Sequence, residues 1–583
     1  MSSLLLRRRI SRSLLPDNTD FYCSTWELKF RTSCGIYECL RKLSSSTPHV
    51  KFDFTDLTCI ICLGLSIEVE SRLRLNNHAT GIYCGPLRLL AWEVAQRLNK
   101  ANVPCELITG QEREEIDGAK HKAVTVEMSD VNSDYSCAVV DEIQMLGCKT
   151  SGFSFTRALL GICADELHLC GDPAAVPLIK EILKVTDDVV EVKYYDRLSP
   201  LVPLDVPLGS FSKIRTGRLM YSVSDPLYLP TDTQLQVFEC LLKSPCRQEP
   251  CACKPKTNGL HIKKLPKYGP DLHHNFYRLI EDQRQHMCSV VYGSLPPATR
   301  SRQATMFNDE NNGFDVLVAS DAIGMGLNLN ISRIIFSTLK KFDGIEMRDL
   351  TVSEIKQIAG RAGRYKSKFP VGEVTCVKAD DLPLLHSSLS SPSPTLEQAG
   401  LFPSFDLIVM FSRLHPTYGL RQILEHFVEH AKLSDNYFIT NCEEMLKVAA
   451  VIDELPLTLS DKYLFVMSPV DMEDDISSQG LTQFATSYCT NHIVRLKEIF
   501  TPGTLKIPKS HKQLKELESI HKVLDLYVWL SFHMDECFPD RELAASQKAI
   551  CSMLIEEFLG RSGWEKKPIP RKLPRPTRLK SLY

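Results

Sequence analysis

Residues 137–144 read Cys-Ala-Val-Val-Asp-Glu-Ile-Gln. Four small or β-branched apolar residues running into two adjacent carboxylates describe a buried strand that ends at Asp141 and Glu142. The carboxyl edge of a parallel sheet is where α/β folds meet their ligands, and a carboxylate there suits a Mg2+ carried on phosphates while its neighbour orients a water. By itself the tetrapeptide Asp141–Gln144 suits a strand end followed by a solvated acidic turn better than it does a ligand site.

The surrounding pattern is an alternation. Apolar runs at Gly81–Cys84, Cys105–Thr109, Ala123–Met128 and Glu166–Cys170 are interleaved with helical stretches at Leu87–Ala101, Phe155–Cys163 and Pro177–Val185, which predicts a parallel, doubly wound sheet. A second series follows at Cys288–Tyr292, Val316–Ser320, Arg333–Ser337, a helix from Val352, and Glu373–Val377. Beyond a Ser/Pro-rich joint at Ser387–Pro394 the periodicity turns helical, with Leu517, Ile520, Leu524 and Tyr527 on one face. The expected fold class is α/β, two parallel-sheet lobes in tandem followed by a mainly α-helical domain. Tyr527 and Trp529 are expected in a core, since aromatics at helical spacing usually are.

In the second series, Gln357-Ile-Ala-Gly-Arg361-Ala-Gly-Arg364 lies on a helix opened by Thr351-x-x-Glu354, the spacing of a capping box. Glycines beside arginines let guanidinium groups come close to a phosphate and grip it through two donors.

Composition bounds the rest. The 583 residues suggest two to four units, and 43% hydrophobic with 24% charged residues excludes a disordered or fibrous chain. A net charge of −2 means that any nucleic-acid binding comes from local placement of Lys and Arg. The 21 cysteines follow no disulfide framework, so reduced thiols are expected. No apolar run reaches the roughly 18 residues that span a bilayer, so no membrane association is expected. Residues 1–16 hold Arg7, Arg8, Arg9 and Arg12 with no acidic residue, the composition of an organelle transit peptide.

Read together, Gly85–Val94 (GPLRLLAWEV), Thr109–Glu112, Thr125–Met128, Asp141–Gln144, Gly171–Pro177, Ser289–Pro297, Leu317–Phe336 and Gln357–Arg364 resemble, in order, the motifs of superfamily 2 helicases. More closely, the chain resembles the mitochondrial degradosome DExH-box RNA helicases, the Suv family, over about 80–217 and 276–560, and His521–Phe532 resembles that family's C-terminal helical domain. The resemblance implies RecA-like lobes, ATP and Mg2+ as cofactors, and a mitochondrial matrix location in preference to chloroplast or nucleus. It implies RNA as polymer, with DNA or an RNA/DNA hybrid as further candidates, and a 3′-to-5′ exoribonuclease partner. By it, Asp141 and Glu142 hold Mg2+ and polarise water, and Gln144 senses nucleotide. Gln357, Arg361 and Arg364 face the γ-phosphate, and Asp321 and Gly324 join the nucleotide site. Pro86, Arg88, Thr109, Gly110, Ser294 and Ser320 line the RNA.

Two departures stand out. A GxxxxGK[ST] phosphate loop is expected before Gly81, yet Gly-Lys occurs nowhere in the sequence and Gly64 is the only glycine in Phe54–Asn77. The strand expected to open the second lobe after Thr216-Gly217 reads as displaced by a Pro- and Cys-containing insertion at 221–275. An ATPase-deficient RNA-binding form, or a transcript variant, is the alternative these departures suggest. The insertion's Cys240, Cys246, Cys251 and Cys253 lack paired metal-ligand steps, and Cys59/Cys62 is a lone CxxC, so free thiols are expected. The expected domains are a leader at 1–45, a first lobe at 46–205, a second at 206–380, helices at 381–560 and a basic tail at 561–583.

Overall fold

The computed structural model describes residues 59–61, 78–186, 188–194, 197, 199–209, 218–221, 287–309, 311, 313–320, 329–342, 347–363, 368–499 and 505–561. The leader, the insertion's cysteines, the basic tail's side chains, Asp321, Gly324 and Arg364 lie outside these residues.

The first sheet contains β1 (Gly81–Gly85), β2 (Cys105–Ile108), β3 (Arg113–Glu114), β4 (His121–Thr125), β5 (Asp134–Val140) and β6 (Cys163–Leu169) in the order β3-β2-β4-β1-β5-β6. All its pairings are parallel except the β2/β3 edge hairpin. Its inner strands β1, β4 and β5 are largely buried on both faces because helices cover both. Helix Arg88–Lys100 buries Ala91, Val94, Ala95 and Leu98, spaced i, i+3, i+4, i+7, against Tyr83 and Leu107. The opposite face packs Ile82, Val124 and Val140 on Phe155, Leu159 and Ile179. Within the sheet, β1 and β6 occupy the two edges of β5. Ahead of Gly81, strand Cys59–Ile61 pairs with Val192–Tyr194 outside this sheet.

The second sheet contains β7 (Leu201–Pro203), β8 (Arg218–Tyr221), β9 (Met287–Val291), β10 (Phe314–Ala319), β11 (Arg333–Phe336) and β12 (Gly372–Cys376), ordered β9-β10-β8-β11-β12-β7 and parallel throughout. The expectation that its opening strand is lost is overturned: Arg218–Tyr221 forms β8, at the sheet's centre between β10 and β11. Two flanking strands supply hydrogen bonds on both edges, which a four-residue run cannot advertise locally. The core of this lobe joins Leu317, Ile334, Phe336, Ile358 and Val374 to Leu385 of helix Leu382–Ser390. Thr351 and Glu354 make the reciprocal capping box read from their spacing.

The remaining unit is helical, and its core gathers Ile423, Val448, Phe465, Phe484 and Tyr527. Its long helices His511–His533 and Arg541–Arg561 pack side by side. Cys84, Cys105, Cys148, Cys376, Cys442, Cys489, Cys537 and Cys551 are free thiols. Among the described residues no helix is long and apolar enough to cross a membrane.

Candidate nucleotide and nucleic-acid sites

Asp141 follows the last residue of β5 and is almost wholly buried, 2% exposed. Tyr83, from the neighbouring β1, donates its hydroxyl to Asp141 Oδ2 at 2.8 Å, and the Glu142 N–H donates to Oδ1 at 2.9 Å. Burial, and then the adjacent Glu142, push the Asp141 carboxyl up to about 7. Glu142 takes a left-handed backbone, φ 53°, so that the chain turns sharply off the sheet edge. Gln144 donates to Glu142 Oε2 and accepts from the Asp172 N–H at 3.0 Å, which ties the acidic turn to the Gly171–Pro177 loop. A Cβ at Gly171 would stand 2.3 Å from Gln144 Oε1 and 2.9 Å from the Ile143 backbone nitrogen, so a side chain there would displace the turn.

Arg361 approaches this turn from the second lobe. Burial pushes its guanidinium down, while Glu142, Asp141 and Glu93 act on it as nearby opposite charges. Gln357, half-buried, lies one turn earlier, near the end of helix Val352–Ala359. The structure thus brings Asp141, Glu142, Gln144 and Arg361 together.

Sequence reading missed two supports of this site. One is Tyr83, whose signal was a single hydroxyl within an apolar strand. The other is Arg197, in the connection between the lobes: it donates to the carbonyls of Gly360 (2.9 Å), Ala362 and Gly363 (3.0 Å) and so holds the Gly-Arg-Ala-Gly turn. Gly363 has φ +69°, and a Cβ there would lie 2.3 Å from the Gly372 nitrogen, so the turn accepts only glycine.

The residues expected along RNA share a different neighbour. Arg88 Nη2 is 3.6 Å from Asp525 Oδ2, Gly110 abuts the Trp529 indole, and Ser294 donates to Glu518 Oε2 at 2.9 Å. Glu518, Asp525 and Trp529 are spaced seven and four apart on helix His511–His533, hence on one face. Pro86 is half-buried ahead of Arg88. Thr109 is fully buried, its hydroxyl accepting from the N–H groups of Gln111 and Glu112, so it shapes the turn instead of presenting a side chain. Ser320, just past β10, is buried with its N–H on the Val291 carbonyl. Trp529 and Tyr527 are core residues, Trp529 stacking on His533 at 3.9 Å.

The donor set at Asp141 and Glu142 fits a hard divalent cation: two adjacent carboxylates, one of them pushed up by its burial and by the charge of the other. Among the described residues no group of three or more His, Cys, Asp or Glu forms a metal cage.

Residues 69–195 match the DEXQ-box helicase domain of Suv3 and residues 270–366 the helicase conserved C-terminal domain. Residues 447–489 match Suv3 C-terminal domain 1, and 514–561 the ATP-dependent RNA helicase SUV3 C-terminal domain. The chain is 62% identical over 510 residues to the mitochondrial ATP-dependent RNA helicase SUV3 of Oryza sativa subsp. japonica, covering 88% of this chain and 80% of that protein. It is 61% identical to the mitochondrial DExH-box ATP-dependent RNA helicase DExH16 of Arabidopsis thaliana, over 87% of this chain and 84% of that one. Identity to the human mitochondrial ATP-dependent RNA helicase SUPV3L1 is 37%, over 80% and 55%. With helicase motifs on two parallel-sheet lobes and the Suv3-type helical unit behind them, the chain belongs to the Suv3 family of superfamily 2 DExH/Q helicases.

Proposed function

We propose that this chain is a mitochondrial ATP-dependent RNA helicase that couples ATP hydrolysis to the unwinding of structured RNA for 3′-directed decay beside a 3′-to-5′ exoribonuclease. The observation that carries the reading is the carboxylate pair at the end of β5, Asp141 buried and Glu142 half-buried, which feels the charge of Arg361 from the second lobe. Asp141 and Glu142 would hold Mg2+, which when bound spreads the charge that develops on the transferring phosphoryl group. Glu142, fixed by Gln144, orients the attacking water. Arg361 lends its guanidinium to the γ-phosphate across the cleft, so its contact depends on how the lobes close. Arg364, Asp321 and Gly324 complete the nucleotide side, and Pro86, Arg88, Gly110 and Ser294 the polymer side, with Thr109 and Ser320 shaping the turns behind them. Contacts of this kind, to sugar and phosphate, give sequence-tolerant binding.

The absent Gly-Lys dipeptide favours a second reading, an RNA-binding form that hydrolyses ATP poorly, because a loop lysine normally grips the β and γ phosphates. Phosphate release with and without RNA, together with strand displacement, separates the two. The helicase reading expects RNA-stimulated release that falls at least about 100-fold in Glu142→Gln. RNA binding with no release in the parent chain supports the second reading.

A further inference from the structure

The Ser/Pro-rich joint leaves helix Leu382–Ser390 of the second lobe at Ser391 and reaches the helical unit through strand Ala399–Leu401. Between these points it has no regular secondary structure and lies against the first lobe. Ser391 is extended, φ −73° and ψ 148°, the conformation that a following proline favours. Pro392 and Pro394 each fix φ at about −65°, so Ser391-Pro392-Ser393-Pro394 is a stiff stretch.

Its two ends hold opposite sides of the nucleotide site. At one end Lys356 Nζ donates to the Ser391 carbonyl. Lys356 precedes Gln357 on helix Val352–Ala359, and its own carbonyl accepts from the Gly360 N–H at 2.8 Å, next to Arg361. At the other end Ser393 Oγ donates to Asp172 Oδ2 at 3.1 Å. Asp172 Oδ1 accepts from the Ala174 N–H at 2.9 Å, and the Asp172 N–H donates to Gln144 Oε1 at 3.0 Å. The Gln144 side-chain amide donates in turn to Glu142 Oε2. Just beyond, the Leu396 N–H donates to the Ala174 carbonyl at 2.8 Å, and a Cβ at Gly147 would stand 2.2 Å from Leu396 Cδ1. An extended step of two residues spans about 7 Å. Over that step the joint ties the helix that leads to Arg361 in the second lobe to the loop that fixes Gln144 and Glu142 in the first.

We infer that Ser391–Pro394 is a rigid spacer that sets how Arg361 stands relative to Glu142, and that Ser393 and Lys356 are positioning residues for ATP hydrolysis. The inference rests on the reading of this chain as an ATPase. Ser393 acts through Asp172 and Gln144 on the carboxylate that orients the water, and Lys356 through the helix end on the arginine. Phosphoryl transfer is catalysed almost wholly by placement and charge, so a small shift at either end is felt in the rate. Glycine in place of both prolines keeps the two hydrogen-bonding ends and loosens only the distance between them.

The test is steady-state phosphate release by the full chain, with kcat and KM for ATP measured at saturating oligouridine, beside the anisotropy of labelled oligouridine. Ser393→Ala and Lys356→Met are each expected to lower kcat about tenfold with KM within about twofold of the parent. Ser393→Thr, which keeps the hydroxyl, is expected to restore kcat. Pro392→Gly combined with Pro394→Gly is expected to lower kcat about fivefold. Oligouridine affinity should match the parent in every variant. A double glycine variant with the parent's kcat overturns the spacer, and a Ser393→Ala with the parent's kcat overturns the part given to Ser393. Loss of kcat and oligouridine affinity together in Ser393→Ala marks a general loosening and overturns a positioning role. A parent chain that releases no phosphate with or without RNA overturns the ATPase reading and the spacer's role with it.

Discussion

The Ser294 hydroxyl donates to Glu518 Oε2 at 2.9 Å, while Tyr292, two residues earlier, donates to Oε1 at 2.7 Å. Both donors sit just past β9, so one carboxylate from helix His511–His533 caps the end of a second-lobe strand. Glu518 is only 6% exposed, and burial holds its carboxyl above the usual range despite both hydroxyls. Glu518→Leu removes both acceptors and is expected to cost about 2–3 kcal/mol. A thermal shift measured beside that of the exposed-site variant Glu429→Gln checks this, and an unchanged melting temperature would show that the cap contributes nothing.

Arg197 holds the backbone on both sides of Arg361. Replacing it with Gln leaves the carbonyls of Gly360, Ala362 and Gly363 without their shared donor. RNA-stimulated phosphate release should drop roughly tenfold, about 1.4 kcal/mol, while oligouridine affinity stays at the parent value. Equal losses in both would mean a general unfolding and not a displaced arginine.

Tyr83→Phe deletes one hydroxyl inside the first sheet. Asp141 then loses its 2.8 Å donor while remaining buried. Stability should fall by about 1–2 kcal/mol in urea titrations followed by tryptophan fluorescence. A variant as stable as the parent would place the hydroxyl's worth near zero.

His521 makes stability depend on pH. Burial first, then Lys548 and Arg88, bring its imidazole down to about 4 from the ordinary 6.5, with Asp525 opposing. Between those values the unfolded chain binds a proton that the folded chain refuses, so this contribution is complete above pH 6.5 and is lost as the pH falls toward 4. Glu518, with its raised carboxyl, acts in the opposite direction above about 4.5, so the parent must be compared with His521→Gln. Melting temperatures at pH 7.5 and pH 5 should drop more in the parent than in the variant, by the equivalent of about 2 kcal/mol. Identical drops would remove His521 from the account.

Most of the first sheet was legible because β1, β4, β5 and β6 each run to five or seven residues, whereas the two-residue edge strand Arg113–Glu114 carries no such signal. The runs that end at Cys84 and Asp141 needed only β-branched and small apolar residues beside helices of regular period. The capping box was legible for the same reason, its two partners being three residues apart. The strand Arg218–Tyr221 was not, since four residues beside an atypical stretch carry too little periodicity to outweigh it. Its place depends on β10 and β11, roughly a hundred residues further on, bonding to its two edges.

By itself, then, the sequence determined the two α/β lobes, the helical unit, the acidic turn at Asp141-Glu142 and the family to which they belong. Each of these is written in local spacing, in residue types a turn or a strand apart. Only the tertiary structure decided which side chains complete those sites: Tyr83 under Asp141, Arg197 behind the Gly-Arg turn, and Glu518 and Asp525 against Ser294 and Arg88. These pairs are separated by tens to hundreds of residues, and a buried carboxylate or guanidinium takes its meaning from the charges brought to it across that distance. No period in the chain encodes such a meeting; it follows from three cores closing on one another, which leaves a single helix face in contact with both lobes.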